Sequence, residues 1–96
     1  MTNVQSLNRR YVRISNVVAT DLAGNTLLLD AQQWAYFEFD RIASTIWAHL
    51  ETPCTLPALV EALRGGFDVD EARCLHDTKH FLDDMIDQGL VTVVAD

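Results

Sequence analysis

The sequence predicts an α+β domain of winged helix-turn-helix-like type, a three-stranded antiparallel sheet followed by three helices. Three observations carry this prediction. Residues 16–39 hold short apolar runs punctuated by turn residues, which is the pattern of strands. At Asp40 the apolar spacing changes from every second residue to every third or fourth, so a strand runs straight into a helix. The 96 residues are 49% hydrophobic and contain no repeat, linker or low-complexity tract, as expected of a single domain over 1–96 with one modest core.

The elements follow in order. In NVVATDLAGNTLLLD (16–30) two apolar runs flank AGN, where Gly24 and Asn25 tolerate positive φ, a hairpin signal. The next segment, AQQWAYFEFD, alternates: Ala35, Phe37 and Phe39 point one way and Trp34, Tyr36 and Glu38 the other. Phe37 and Phe39 are expected to face the core, since neither has a polar group to satisfy. Asp40 then caps a first helix whose apolar stripe is Ile42, Ile46, Trp47 and Leu50. ETPCT breaks that helix, and Thr55 caps a second with Pro57 in its first turn. Leu56, Leu59, Val60 and Leu63 form its buried face, and Gly65 and Gly66 end it. Asp68 and Glu71 have the spacing of a capping box, opening a longer third helix with apolar residues Val69, Ala72, Leu75, Phe81, Leu82, Met85 and Ile86. Gly89 is placed as its C′ residue, Leu90 folds back on the last turn, and LVTVV (90–94) is a final strand or extended tail.

Charge limits the partners. The net charge is −7, and nucleic-acid binding depends on neutralising phosphates with Lys and Arg. Arg9, Arg10 and Arg13 form the one basic cluster, read as a flexible or edge-strand solubilising segment. The third helix, residues 70–88, carries six acids against two bases, a net −4 that phosphate would repel. So the architecture resembles that of a DNA-binding regulator while the electrostatics oppose it. No run approaches the roughly 20 apolar residues of a membrane span. The N-terminal segment lacks the apolar region of a secretory signal, and the expected location is cytoplasmic.

Chemistry has little to build on. RGGF lacks the spacing and the lysine of a phosphate loop. Cys54 and Cys74 are too few for a disulfide scaffold and sit in no nucleophile motif, and Cys74 reads as a small buried hydrophobe. His76 and His80 share a helix face, with His49 elsewhere, but no further ligand motif completes a metal shell, so a solvated face is the better reading. The chain is expected to be no enzyme and to hold no cofactor or metal.

A sheet edge offers another use. The strand over 34–39 contains no proline to blunt it, and between it and a neighbouring helix lies a groove suited to an extended peptide. Equally, Trp34 and Tyr36 on its outward face would cover one side of the core.

TLLLD, WAYFEFDRIASTIWAHLETPCTLPALVEALRGGFDVD and FLDDMIDQGLV, in this order and spacing, resemble the PqqD-like proteins, peptide-recognition elements of ribosomal peptide natural-product biosynthesis. The similarity spans roughly residues 16–93, with Phe39 and Asp40 standing where the family more usually has Leu and Asn. The resemblance implies a module that binds the leader segment of a precursor peptide. The leader adds as a strand to the third strand of the sheet, lies against the third helix, and is presented to a separate leader protease or modifying enzyme. Carried onto this chain, the contacting residues are Trp34, Ala35, Tyr36, Phe37 and Glu38 on the strand, with Cys74, Asp77, Thr78, Phe81 and Met85 on the helix. A basic leader residue would find Asp77 or Asp84. Stand-alone members act in lasso-peptide pathways beside a leader protease, the form favoured here, and in the pyrroloquinoline quinone pathway beside a radical-SAM enzyme. The resemblance implies neither nucleic acid nor membrane as a partner.

Overall fold

The computed structural model describes residues 9–14 and 17–94. Among them, in chain order, lie β1 (Arg10–Arg13), β2 (Val18–Leu22), β3 (Asn25–Asp30), β4 (Ala35–Phe39), α1 (Arg41–His49), β5 (Cys54–Thr55), α2 (Leu56–Gly66), α3 (Glu71–Asp87) and β6 (Val91–Val94). The α+β architecture is the expected one: β2, β3 and β4 form an antiparallel sheet in that order, and the three helices follow. The core joins Leu28 and Phe39 of this sheet to the apolar stripes of the helices.

A second sheet, ordered β5–β1–β6, goes beyond the expectation. It corrects the reading of the Arg9–Arg13 cluster as a flexible or edge-strand solubilising segment for Arg10 and Arg13, because β1 is the central strand and Tyr11 within it is 0% exposed; Arg9, just before it, is exposed. Arg13 is tied to the scaffold: its guanidinium donates to the Trp47 carbonyl at 3.0 Å and lies 5.4 Å from the centre of the indole ring. The tail over 90–94 becomes β6, paired with β1 through Tyr11 and Val93.

Leu22 pairs with Asn25 across a two-residue turn in which Ala23 (φ 55°) and Gly24 (φ 90°) are both left-handed. The expected turn pair was Gly24 and Asn25. The actual one puts an alanine in a conformation that costs a non-glycine residue roughly 1–2 kcal/mol.

Helix ends follow their caps. The Asp40 carboxylate accepts from the Ala43 N–H at 2.8 Å, and the Thr55 hydroxyl accepts from the Ala58 N–H at 3.3 Å. Ile46, Trp47 and Leu50 are buried in α1, but Ile42, at 38% exposure, stands at the margin of the stripe. The expected capping box before α3 does not form, since the N-cap is Asp70, which accepts from the Arg73 N–H at 3.0 Å. The buried line of α3 is Cys74, Thr78, Leu82 and Met85, while Ala72 and Leu75 fall outside it. At the C-terminus Gly89 (φ 76°) turns the chain, Leu90 N–H bonds Met85 C=O at 2.9 Å and Gly89 N–H bonds Ile86 C=O at 3.0 Å. This Schellman arrangement seats Leu90 in the core at 0% exposure and launches β6.

Candidate functional site

Among the described residues β4 is hydrogen-bonded on one side only, to β3. Its backbone groups can be sorted from the register. The pair flanking a two-residue hairpin turn exchanges both its hydrogen bonds, and pairs alternate from there. Starting at Leu22 and Asn25, the residues of β3 whose backbone faces β4 are Thr26, Leu28 and Asp30, which pair with Phe39, Phe37 and Ala35. The N–H and C=O groups of Tyr36 and Glu38 therefore point away from the sheet. They form the open edge.

Two pins hold this edge beside α3. At one end the Phe39 ring meets Phe81 edge-on at 5.4 Å and Trp47 at 5.7 Å, so one aromatic locks the strand to both α1 and α3. At the other end Gln33 Nε2 donates to the carbonyl of Gln88, the C-cap of α3, at 3.1 Å. From the Gln33 pin the chain runs toward Phe39, while α3 runs from Phe81 toward Gln88, so between the pins the two segments run in opposite directions. Tyr36 and Glu38 sit between the pins.

The turn over 31–34 is organised by a residue that sequence reasoning passed over. Asp30, 2% exposed, accepts from the Gln32 N–H (3.1 Å), the Gln33 N–H (3.4 Å) and Gln33 Nε2 (2.7 Å). An aspartate ending an apolar strand just before a polar turn is the available signal. This network corrects the expected strand start: Trp34 belongs to the turn, with φ 53°, and β4 begins at Ala35. A left-handed tryptophan costs roughly 1–2 kcal/mol. Its 83% exposure means that core packing does not hold it there.

The residues singled out beforehand fall into two groups. Trp34, Tyr36 and Glu38 are exposed, Tyr36 at 67%, while Ala35 and Phe37 are half-buried toward the core side. On α3, Phe81 is half-buried and Asp77 exposed, facing Arg73 at 3.6 Å. Cys74, Thr78 and Met85 are core residues, and the Cys74 Sγ lies 3.9 Å from the Thr78 hydroxyl. Of these helix positions only Phe81 and the acids around it therefore reach the surface, with Asp84 one turn further on beside His80 at 3.5 Å.

Cavities elsewhere are less suited to a ligand. One of 570 Å³ between α2 and α3 has two of its charges paired with each other, Arg64 with Glu71 at 3.4 Å. Another, of 510 Å³ between the β2–β3 hairpin and α1, is lined by Arg13, Ser44 and Thr45, all of which bond backbone carbonyls. His76 and His80 are exposed, and among the described residues no group of three or more His, Cys, Asp or Glu could hold a metal ion. No described helix is long and apolar enough to cross a membrane.

The sequence matches, over residues 25–91, the family model described as "Coenzyme PQQ synthesis protein D (PqqD)". Among solved structures the fold is similar to "TbiB1 in Complex with the TbiA(beta) Leader Peptide", at 27% identity and a TM-score of 0.78, covering 88% of this chain and 99% of that one. It is also similar in fold to "Lasso peptide synthetase B1 complexed with the leader peptide", at 13% identity and a TM-score of 0.74, covering 85% and 96%. No curated protein matches.

Proposed function

The chain belongs to the PqqD family, and from that premise we propose that it binds the leader segment of a ribosomally made precursor peptide by strand addition to β4. The observation that carries this reading is the open edge: the outward backbone groups of Tyr36 and Glu38, pinned alongside α3. Main-chain hydrogen bonds there supply affinity and alternate side chains supply selectivity. The similar TbiB1 was solved with a leader peptide, which supports the same ligand class here.

The role is recognition without catalysis. In support of this, burial pushes the Cys54 thiol up from 9.0, the reverse of an activated nucleophile, and Cys74 is enclosed in the core. The bound leader is presented to a separate partner in the cytoplasm, where the precursor is synthesised. That partner is a leader protease in a lasso-peptide pathway. The family model's own description favours a second reading, delivery of a precursor to the radical-SAM enzyme of quinone-cofactor synthesis. A DNA-binding role is opposed by the acidic surface of α3.

The test is fluorescence polarisation with a labelled synthetic leader from the precursor gene neighbouring this one. A Kd from nanomolar to micromolar is expected, roughly −12 to −8 kcal/mol. No binding at tens of micromolar protein would sink the reading.

A further inference from the structure

Two large aromatic side chains stand almost fully in water at the open edge, Trp34 at 83% exposure and Tyr36 at 67%. Neither is needed to close the core, which Phe37 and Phe39 cover from the opposite face of the same strand. Trp34 is also held in a left-handed conformation that glycine or asparagine would adopt more readily. The hydrogen bonds of Asp30 and Gln33 fix the turn that contains it. Strain kept at an exposed aromatic beside an unpaired edge calls for a use.

The register says what that use is. Tyr36 lies on the outer face directly opposite Leu29, which in turn lies opposite Val18. Leu29 and Val18 are themselves 41% and 64% exposed, so an apolar row crosses the sheet and ends at Tyr36 on the edge. A strand added to β4 continues that row by one position, and cross-strand neighbours on one face pack together. Trp34 stands in the turn that leads directly into β4, two residues before Tyr36 and at the same open edge.

Resting on the leader-binding reading above, we infer that Trp34 and Tyr36 form an outer-face subsite for one large apolar or aromatic side chain of the bound strand, with Trp34 as its clamp. The leader strand is then read on both faces. Residues of one parity meet Phe81 and α3, and those of the other parity meet Trp34 and Tyr36. The ligand class is an extended peptide with bulky apolar residues of both parities, rather than one with a single greasy side.

The experiment is a double-mutant cycle between Trp34 variants and single-alanine versions of the labelled leader encoded beside the gene, with melting temperatures measured in parallel. Trp34→Gly is expected to weaken binding at least about fivefold, from loss of a desolvated aromatic contact. Relief of the left-handed strain is expected to leave its Tm unchanged or raised, by up to about 8 °C. Trp34→Phe is expected to stay within about twofold of wild type, since it keeps a ring. Coupling should concentrate at one large apolar leader residue and be absent at its two immediate neighbours. Equal affinity of wild type and Trp34→Gly overturns the inference, as does a Tm that falls with the affinity or coupling spread without regard to parity. Unchanged leader affinity with lost processing by the partner enzyme also overturns it, assigning the aromatics to enzyme docking. A wild-type protein that binds no leader refutes the parent reading instead.

Discussion

Proline at Glu38 tests the edge assignment at the level of single hydrogen bonds. In the free protein the Glu38 N–H faces away from β3. Removing it deletes no ladder bond, and proline is tolerated on edge strands in that orientation. In the proposed complex the same N–H would meet a leader carbonyl. Its loss forfeits a hydrogen bond and leaves an acceptor wholly or partly unpaired, together about 1–3 kcal/mol, or roughly a 5- to 150-fold rise in Kd. Phe37, one residue earlier, is the contrast. Its N–H faces Leu28, a core residue 1% exposed. Proline there breaks the sheet itself, at about 2–3 kcal/mol and a Tm lower by roughly 8–24 °C. The assay is fluorescence polarisation of the labelled leader beside thermal unfolding followed by circular dichroism, with Glu38→Gln separating the side chain from the backbone. The expected pattern is weak binding on an intact fold for Glu38→Pro and a damaged fold for Phe37→Pro. Glu38→Pro binding within twofold of Glu38→Gln would refute the reasoning, and so would equal thermal damage from the two prolines.

Other outcomes follow from individual sites. Asp30→Ala removes a buried carboxylate that accepts three hydrogen bonds and fixes the turn bound to Gln88, so calorimetry should show a loss of about 2–3 kcal/mol, with weaker leader binding. Ala23→Asn puts a residue suited to positive φ into the β2–β3 turn and should gain about 1 kcal/mol, a Tm higher by roughly 4–8 °C. The Tyr11 hydroxyl is buried with no hydrogen-bond partner among the described residues, so Tyr11→Phe should stabilise by about 1 kcal/mol in urea unfolding, and a loss of that size would reveal a hidden partner. For Cys54 the folded state disfavours the thiolate. Iodoacetamide labelling should therefore begin at higher pH in the native than in the unfolded protein. The associated stability is whole below pH 9.0 and lost as the pH rises above it, through the raised native value.

Much of the scaffold was legible because its causes are local. A cap needs one side chain and the next three residues, so Asp40 and Thr55 announced their helices, and Gly89 with Leu90 announced the end of α3. Alternation over 35–39 separated inward Phe37 and Phe39 from outward Tyr36 and Glu38, since side-chain parity is a property of the strand alone. The acid count of residues 70–88 opposed nucleic acid without any coordinates. What tertiary structure decided depended on partners distant in the chain. The segment RYVR reads as a charged stretch, and it becomes a central strand only because β5 and β6 arrive on either side of it. Cys74, Thr78 and Met85 share a helix with exposed acids, and packing alone sets them in the core. Asp30 and Gln33 moved Trp34 out of the strand into the turn, and Gln33 then tied that turn to α3. Above all, which amides of β4 are open is set by where the preceding hairpin turns, at Ala23 and Gly24, because hydrogen-bond register is shared across strands while side-chain parity belongs to one.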